Sequence, residues 1–223
     1  MGVILLVRHG QASFGGADYD VLAERGERQA RRLGAALAAR GVRPAALASG
    51  SMRRQRDSAA ALSAAAGWEL EPSVDPGWNE YEHQGLAAVP AAGPGSAPPD
   101  PAAFQDALEA GIRRWAADDA PVPANTGAGA GESFAEFTAR TEAALRAAAA
   151  RQSSGATTVV VTSGGVIGWL AATLLGAGVE QWIRLNRVTV NTGVTTLIAG
   201  RRGLSLVSFN DHGHLPQPDI TYR

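Results

Sequence analysis

The sequence predicts an α/β fold: a three-layer α/β/α sandwich whose mostly parallel sheet ends in an antiparallel C-terminal strand pair. Three observations predict it. The apolar, β-branched runs Val3–Val7 and Thr157–Thr162 have strand length and read as central strands buried on both faces. Segments of helical period follow each run, the alternation that builds parallel βα units. Two further strand-like runs, near 192–199 and 204–209, flank Gly200-Arg-Arg-Gly203, a hairpin signal. At 223 residues the chain suits one domain with a sizeable core, taken here as 1–223.

The elements follow in order. Val3-Ile-Leu-Leu-Val7 runs straight into Arg8, His9 and Gly10, so these three residues stand at a strand end. A glycine-rich loop over 11–20 leads to a helix in which Leu22, Gly26, Ala30, Leu33 and Leu37 keep helical spacing, closed by Gly41. Ala45–Ser49 reads as a short buried strand, followed by a helix to about Ala66 and an edge strand at Trp68–Glu71. Residues 86–101 and 119–131 are rich in Pro and Gly and read as loops on either side of a helix at 101–118. Together 86–131 forms an insertion over the strand ends. Ser133-Phe-Ala-Glu136 is a capping box, and Phe134, Phe137, Thr141 and Leu145 share a face of the helix it starts. The strand Thr157–Thr162 breaks at Ser163-Gly-Gly165 into a helix ending near Gly176.

Composition excludes several classes. A formal net charge of −1 argues against general nucleic-acid or acidic-membrane binding. With no cysteine, disulfides, thiolate catalysis and cysteine metal sites are excluded. The first apolar run is too short for a signal peptide or membrane span, and Leu6 stands where myristoylation needs Ser or Thr. A cytoplasmic location is therefore expected. All 20 basic residues are arginine, a bias that fits a GC-rich bacterial genome. The sequence sets no oligomeric state.

The chemistry gathers at three strand ends: Arg8-His9-Gly10, Ser49-Gly50 and Ser163-Gly164-Gly165. In a parallel sheet these ends share one side, where ligands of open α/β sheets bind. Helices begin after the last two, so unpaired N–H groups and positive dipole ends face the same crevice. Arg8 and one of Arg53, Arg54 and Arg56 add guanidinium forks suited to a phosphoryl group. A histidine there can act as nucleophile through an unprotonated ring nitrogen. Its leaving alcohol needs a proton, for which Glu80 and Glu82 are candidates. His83 beside them reads as a solvated loop histidine first, with reaching into the site from the Glu80 loop as the alternative. His212 and His214 lack a third partner, which makes them a polar tail rather than a metal site. Gly127-x-Gly-x-Gly131 follows no strand and fails as a dinucleotide loop. In Val161-Thr-Ser163-Gly-Gly165, valine occupies the first glycine position of a hydrolase nucleophile elbow.

Leu-Val-Arg-His-Gly10, the Leu22-x3-Gly26-x2-Gln29 helix start, Ser49-Gly-Ser-Met-Arg-Arg54, Asn79-Glu80, Gly131-Glu-Ser133 and the 159–167 strand-turn occur in that order over nearly the whole chain. This pattern resembles the histidine phosphatase superfamily, its phosphoglycerate-mutase-like branch above all. The resemblance implies a metal-independent phosphatase of small phosphomonoesters, without a cofactor, working through a phosphohistidine. It implies His9 as the phosphorylated residue, Arg8 and Arg54 as phosphate-binding arginines and Glu80 as proton donor. Arg53 and Arg56 are then surface residues, and Glu132-Ser133 is a helix cap. One position departs from the pattern: the family's second active-site histidine is Ser163 here. Ser163 and the Gly164 N–H are then expected to hold the phosphoryl oxygens. A charged donor contributes roughly 1.5–3 kcal/mol and a neutral one roughly 0.5–1.5 kcal/mol. The difference corresponds to roughly tenfold in rate, an attenuated or specialised enzyme rather than a dead one. A mutase-like phosphotransferase and a non-catalytic phosphate binder are the alternatives.

Overall fold

A computed structural model describes residues 1–13, 20–87, 101–122 and 131–222. Most of the loops expected at 11–20, 86–101 and 119–131, with the Gly127–Gly131 motif, lies outside the described residues. Strand β1 (Gly2–Arg8) leads to α1 (Glu24–Ala39), which buries Gln29, Ala30, Leu33 and Leu37 on one stripe. Gly41 closes that helix in the left-handed region, at φ +73°. Next come β2 (Ala46–Ser49), α2 (Arg53–Ala66) and β3 (Ser73–Val74). Past a 3-10 turn at Pro76–Trp78 lie α3 (His83–Ala87) and α4 (Pro101–Asp118). Helix α5 (Phe134–Ala150) begins at the expected capping box, Ser133 accepting from the Glu136 N–H and Glu136 from the Ser133 N–H. Then follow β4 (Thr157–Thr162), α6 (Gly164–Leu174), α7 (Val179–Val188), β5 (Val194–Gly200) and β6 (Gly203–Asp211).

The described strands form one sheet in the order β3-β2-β4-β1-β5-β6. Pairs β3/β2, β2/β4 and β4/β1 are parallel; β1/β5 and the β5/β6 hairpin are antiparallel. Arg8 pairs with Thr162 and Ser49 with Val161, so the carboxyl ends of β1, β4 and β2 lie side by side. The period of two in β1 divides the core. Leu5 and Val7 pack with Leu33, Leu37 and Leu62 of α1 and α2 on one face. Ile4 and Leu6 pack with Phe137, Ile167 and Trp182 of α5, α6 and α7 on the other. Both faces are covered, the condition under which a strand can be apolar throughout.

Three elements differ from expectation. The edge strand lies at Ser73–Val74, in register with Ala48 and Ser49, not at Trp68–Glu71. Trp68 instead packs against the α1/α2 core and donates its indole N–H to the Val42 carbonyl at 3.1 Å. Helices α3 and α7 were not anticipated. Helix α3 has only five residues, too few for a periodic signal, whereas α7 carries Val179, Trp182 and Ile183 at helical spacing, a signal the sequence reading did not use. Among the described residues no helix is long and apolar enough to cross a membrane.

Candidate active site

A pocket of about 400 Å³ opens at the carboxyl ends of the central strands. Arg8, His9, Arg54, Glu80 and His83 line it. Phe104, Gln105 and Leu108 of α4, Asn186 and Arg187 of α7, and Tyr81 and Tyr222 complete the wall, and Arg187 is held in a bidentate pair by Glu109.

His9 is buried, and its backbone is fastened from three sides. Its N–H donates to Thr162 on β4, its carbonyl accepts from the Asn191 side chain, and the next N–H donates to Ser58 on α2. The turn after it presses against α1. A Cβ on Gly10 would stand 2.3 Å from the Gly26 carbonyl, and one on Gly26 would stand 2.2 Å from that of Gln11. Only glycine at both positions permits this approach.

The ring contacts assign the tautomer. His9 Nδ1 lies 2.7 Å from the Gly10 carbonyl, which can only accept, so Nδ1 carries the proton. Nε2, unprotonated and on the pocket, accepts from Arg54 Nε at 3.2 Å, a bond its lone pair must leave to attack phosphorus. Burial first, then Arg54 and Arg8, hold the ring's pKa well below the usual histidine range, against the Gly10 carbonyl. His9 is therefore a neutral nucleophile candidate at neutral pH.

Arg54 is buried on the inner stripe of α2 with Ser58 and Leu62, while Arg53 and Arg56 face outward. Asp20 pairs with Arg54 Nη1 at 2.8 Å and accepts the Arg53 N–H at 2.8 Å, fixing both the guanidinium and the helix start. Nothing in the spacing of the sequence marked Asp20 for this role. Arg8 reaches across β1 and donates to the carbonyls of Thr189 and, at 2.9 Å, Tyr222.

Glu80 leaves the 3-10 turn and is clamped at both ends. One carboxylate oxygen accepts the Gly165 N–H at 2.9 Å, in the first turn of α6. Tyr81 plants its ring among Trp115, Phe137 and Trp182, with centroids 5.5–5.7 Å away. Upstream, Arg140 donates to the carbonyls of Asn79 (2.7 Å) and Gly77 (3.2 Å) while Glu132 grips its other side. Glu132 thus does more than cap a helix. Burial pushes the Glu80 carboxyl up, opposed by the Gly165 N–H and then by Arg54 and Arg8. A raised carboxyl keeps more of its proton near neutrality, as a general acid requires. Glu82 is not among the pocket-lining residues.

Ser163 is fully buried and is not among the pocket-lining residues. Its hydroxyl accepts from Gln55 Nε2 at 2.8 Å, and the same amide donates to the Trp78 carbonyl at 3.1 Å. Gly164 abuts the arginine: a Cβ there would lie 3.4 Å from Arg8 Nε. Ser163→Ala would leave one Gln55 amide hydrogen without a partner. The expected result is a loss of about 1–3 kcal/mol in stability, read from the denaturant midpoint, with turnover changed by only a few-fold. A large rate loss with unchanged stability would show that the hydroxyl serves the phosphoryl group instead.

His83 corrects the sequence reading. It is no solvated loop residue but the first residue of α3, half-buried and on the pocket wall. Burial, then Arg54, lowers it to about 4. His214 is lowered to about 4 as well, chiefly by burial, and its Nε2 lies 3.0 Å from the Thr192 hydroxyl. Among the described residues no cluster of three or more His, Asp or Glu is placed to hold a metal ion.

These histidines make stability pH-dependent. Their folded pKa values lie below the unfolded 6.5, so the unfolded chain takes up protons first. Stability is intact above that value and falls as pH drops toward about 4. Glu80, shifted upward, opposes part of the loss. For His83 alone, linkage gives a cost of about 2 kcal/mol by about pH 5. Denaturant midpoints at about pH 7.5 and about pH 5 should differ accordingly. An unchanged midpoint would show that the rings charge freely in the folded state.

Comparisons with known proteins bear on the fold and the family. No curated protein matches the chain. Among solved structures, a phosphoserine phosphatase mutant from Entamoeba histolytica in complex with phosphoserine superposes with a TM-score of 0.66 at 20% identity, covering 97% of this chain and 100% of that one. A putative alpha-ribazole-5'-P phosphatase from Escherichia coli gives 0.66 at 20%, covering 95% and 98%. Mycobacterial glucosyl-3-phosphoglycerate phosphatase complexed with VO3 gives 0.64 at 25%, covering 93% and 98%. The family model described as histidine phosphatase superfamily (branch 1) matches residues 4–212, nearly the full length, and the chain belongs to that superfamily.

Proposed function

We propose that the protein is a metal-independent phosphatase of small phosphomonoesters that works through a phosphohistidine on His9. The observation that carries this reading is the His9 ring itself, with Nδ1 protonated against Gly10 and an unprotonated Nε2 beside Arg54 on the pocket. Nε2 attacks phosphorus while the ester oxygen leaves with the Glu80 proton. Water then attacks the phosphohistidine, gives its proton back to the Glu80 carboxylate, and releases inorganic phosphate. Arg8, Arg54 and the first turn of α6 supply positive charge where the phosphoryl oxygens gather. Charge-assisted donors on a recessed site are the strongest stabilisation available to such a transfer.

The pocket fits a compact substrate, with an apolar side at Phe104 and Leu108 and polar groups at Gln105 and Asn186. A screen of phosphomonoesters, begun with phosphoserine and glucosyl-3-phosphoglycerate and run with and without chelator, tests the reading. Free phosphate as product, unaffected by chelator, supports it. Phosphate moved to a second hydroxyl would mean a mutase, and binding without turnover a phosphate-ligand protein.

A further inference from the structure

The pocket histidine beside His9 has no part in the mechanism above. His83 stands with His9, Arg8, Arg54 and Glu80 on the wall, near enough to His9 and Arg54 for their charges to interact. Its placement is firm. Leu86 and Ala87 of α3 are buried, and α3 presses so closely on α4 that a Cβ on Gly111 would lie 2.1 Å from the Leu86 carbonyl. Ser163, at the end of β4, is turned away toward Gln55. The transferring phosphoryl group spreads its charge over three oxygens. Arg8 and Arg54 face it from β1 and α2, and His83 is the further donor that α3 brings to the pocket.

We propose that His83 is a catalytic residue of this site, donating an imidazole N–H to an oxygen of the phosphoryl group as it passes to and from His9. The proposal rests on the phosphohistidine reading of His9. The groups facing His83 are Arg8 and His9 at the end of β1, Arg54 from α2, Glu80 from its own segment, Gln105 from α4 and the Glu109-paired Arg187 from α7. Burial and Arg54 keep the ring neutral at neutral pH, so one of its two nitrogens carries a hydrogen. A neutral ring adds no repulsion against Arg54. An arriving phosphoryl dianion favours the protonated ring, so the bond strengthens as negative charge collects.

The test uses the full chain with His83→Ala and His83→Gln. On an aryl phosphate, His83→Ala should lower kcat/KM by about 10²-fold, the scale of one transition-state donor. His83→Gln, which keeps an N–H, should recover about tenfold of that loss. A His83→Ala enzyme within about threefold of the parent overturns the proposal, and so does glutamine no better than alanine. Imidazole NMR during titration with inorganic phosphate separates this inference from the phosphatase reading. Phosphate should shift the His83 ring signals and raise its pKa in the parent, whether or not esters turn over. Shifts at His83 without turnover would leave the contact standing and remove the covalent mechanism. Shifts at His9 alone would remove the role of His83. No shift at either ring would remove both.

Discussion

His9→Ala is expected to lose phosphoester turnover on the order of 10⁶-fold, the scale set by deleting the nucleophile of a covalent hydrolase. No other pocket residue can take over. Glu80 is held by the Gly165 N–H, and His83 enters from α3 rather than from the strand end that carries His9. In the parent, phosphate trapped during turnover should be acid-labile, base-stable and located on His9. The alanine variant should carry no label yet still bind inorganic phosphate, since Arg8 and Arg54 remain. Turnover surviving in His9→Ala, or a label elsewhere, would end the phosphohistidine reading.

How much of this was legible in the sequence depends on what carries the information. Val3–Val7 could be read because an apolar, β-branched run of that length leaves little choice but a central strand, and the strand's end places Arg8 and His9. The choice of Arg54 over Arg53 and Arg56 came from register with a family motif. The residues themselves left the three open; the structure puts Arg54 with Ser58 and Leu62 on one buried stripe of α2. His83 could not be read this way. Its burial depends on α3 docking against Gly111, a contact between segments with no local signature. Asp20 lay in an irregular loop, where spacing says nothing about a partner on α2. Ser163 was placed at a strand end correctly, but the Gln55 amide that claims its hydroxyl is a tertiary fact.

The second large effect falls on Glu80. An alkyl alkoxide is a poor leaving group and needs a proton in the transition state, whereas a phenolate leaves nearly unaided. Glu80→Gln should therefore slow alkyl phosphates by about 10²–10⁴-fold and aryl phosphates far less. The amide can no longer accept the Gly165 N–H through a charged oxygen, but Tyr81 still pins the segment in its aromatic cluster. Gly165→Ala provides an independent route to the same signature. The added Cβ would lie 2.3 Å from both a Glu80 oxygen and the Tyr81 ring, so the carboxyl must move. Equal losses on both substrate types would reassign Glu80 to positioning. The pH profile has a matching sign. The active form needs His9 neutral and Glu80 protonated; His9 is shifted down and Glu80 up, so the optimum is expected on the acid side of neutrality.

Strand β1 supplies the nucleophile, yet both of its neighbours, β4 and β5, come from the last third of the chain. During synthesis β1 is made before the other described strands and waits longest for its partners. Until Thr157–Thr162 has been synthesised, both hydrogen-bonding edges of β1 lack their native partners. An uncovered strand of this kind is a template for intermolecular pairing. Parallel pairing across so long a separation is also slow to nucleate. The strand that holds the chemistry is thus an aggregation hazard while the domain is incomplete, and slow translation or a chaperone shielding Val3–Val7 should raise the yield of active protein.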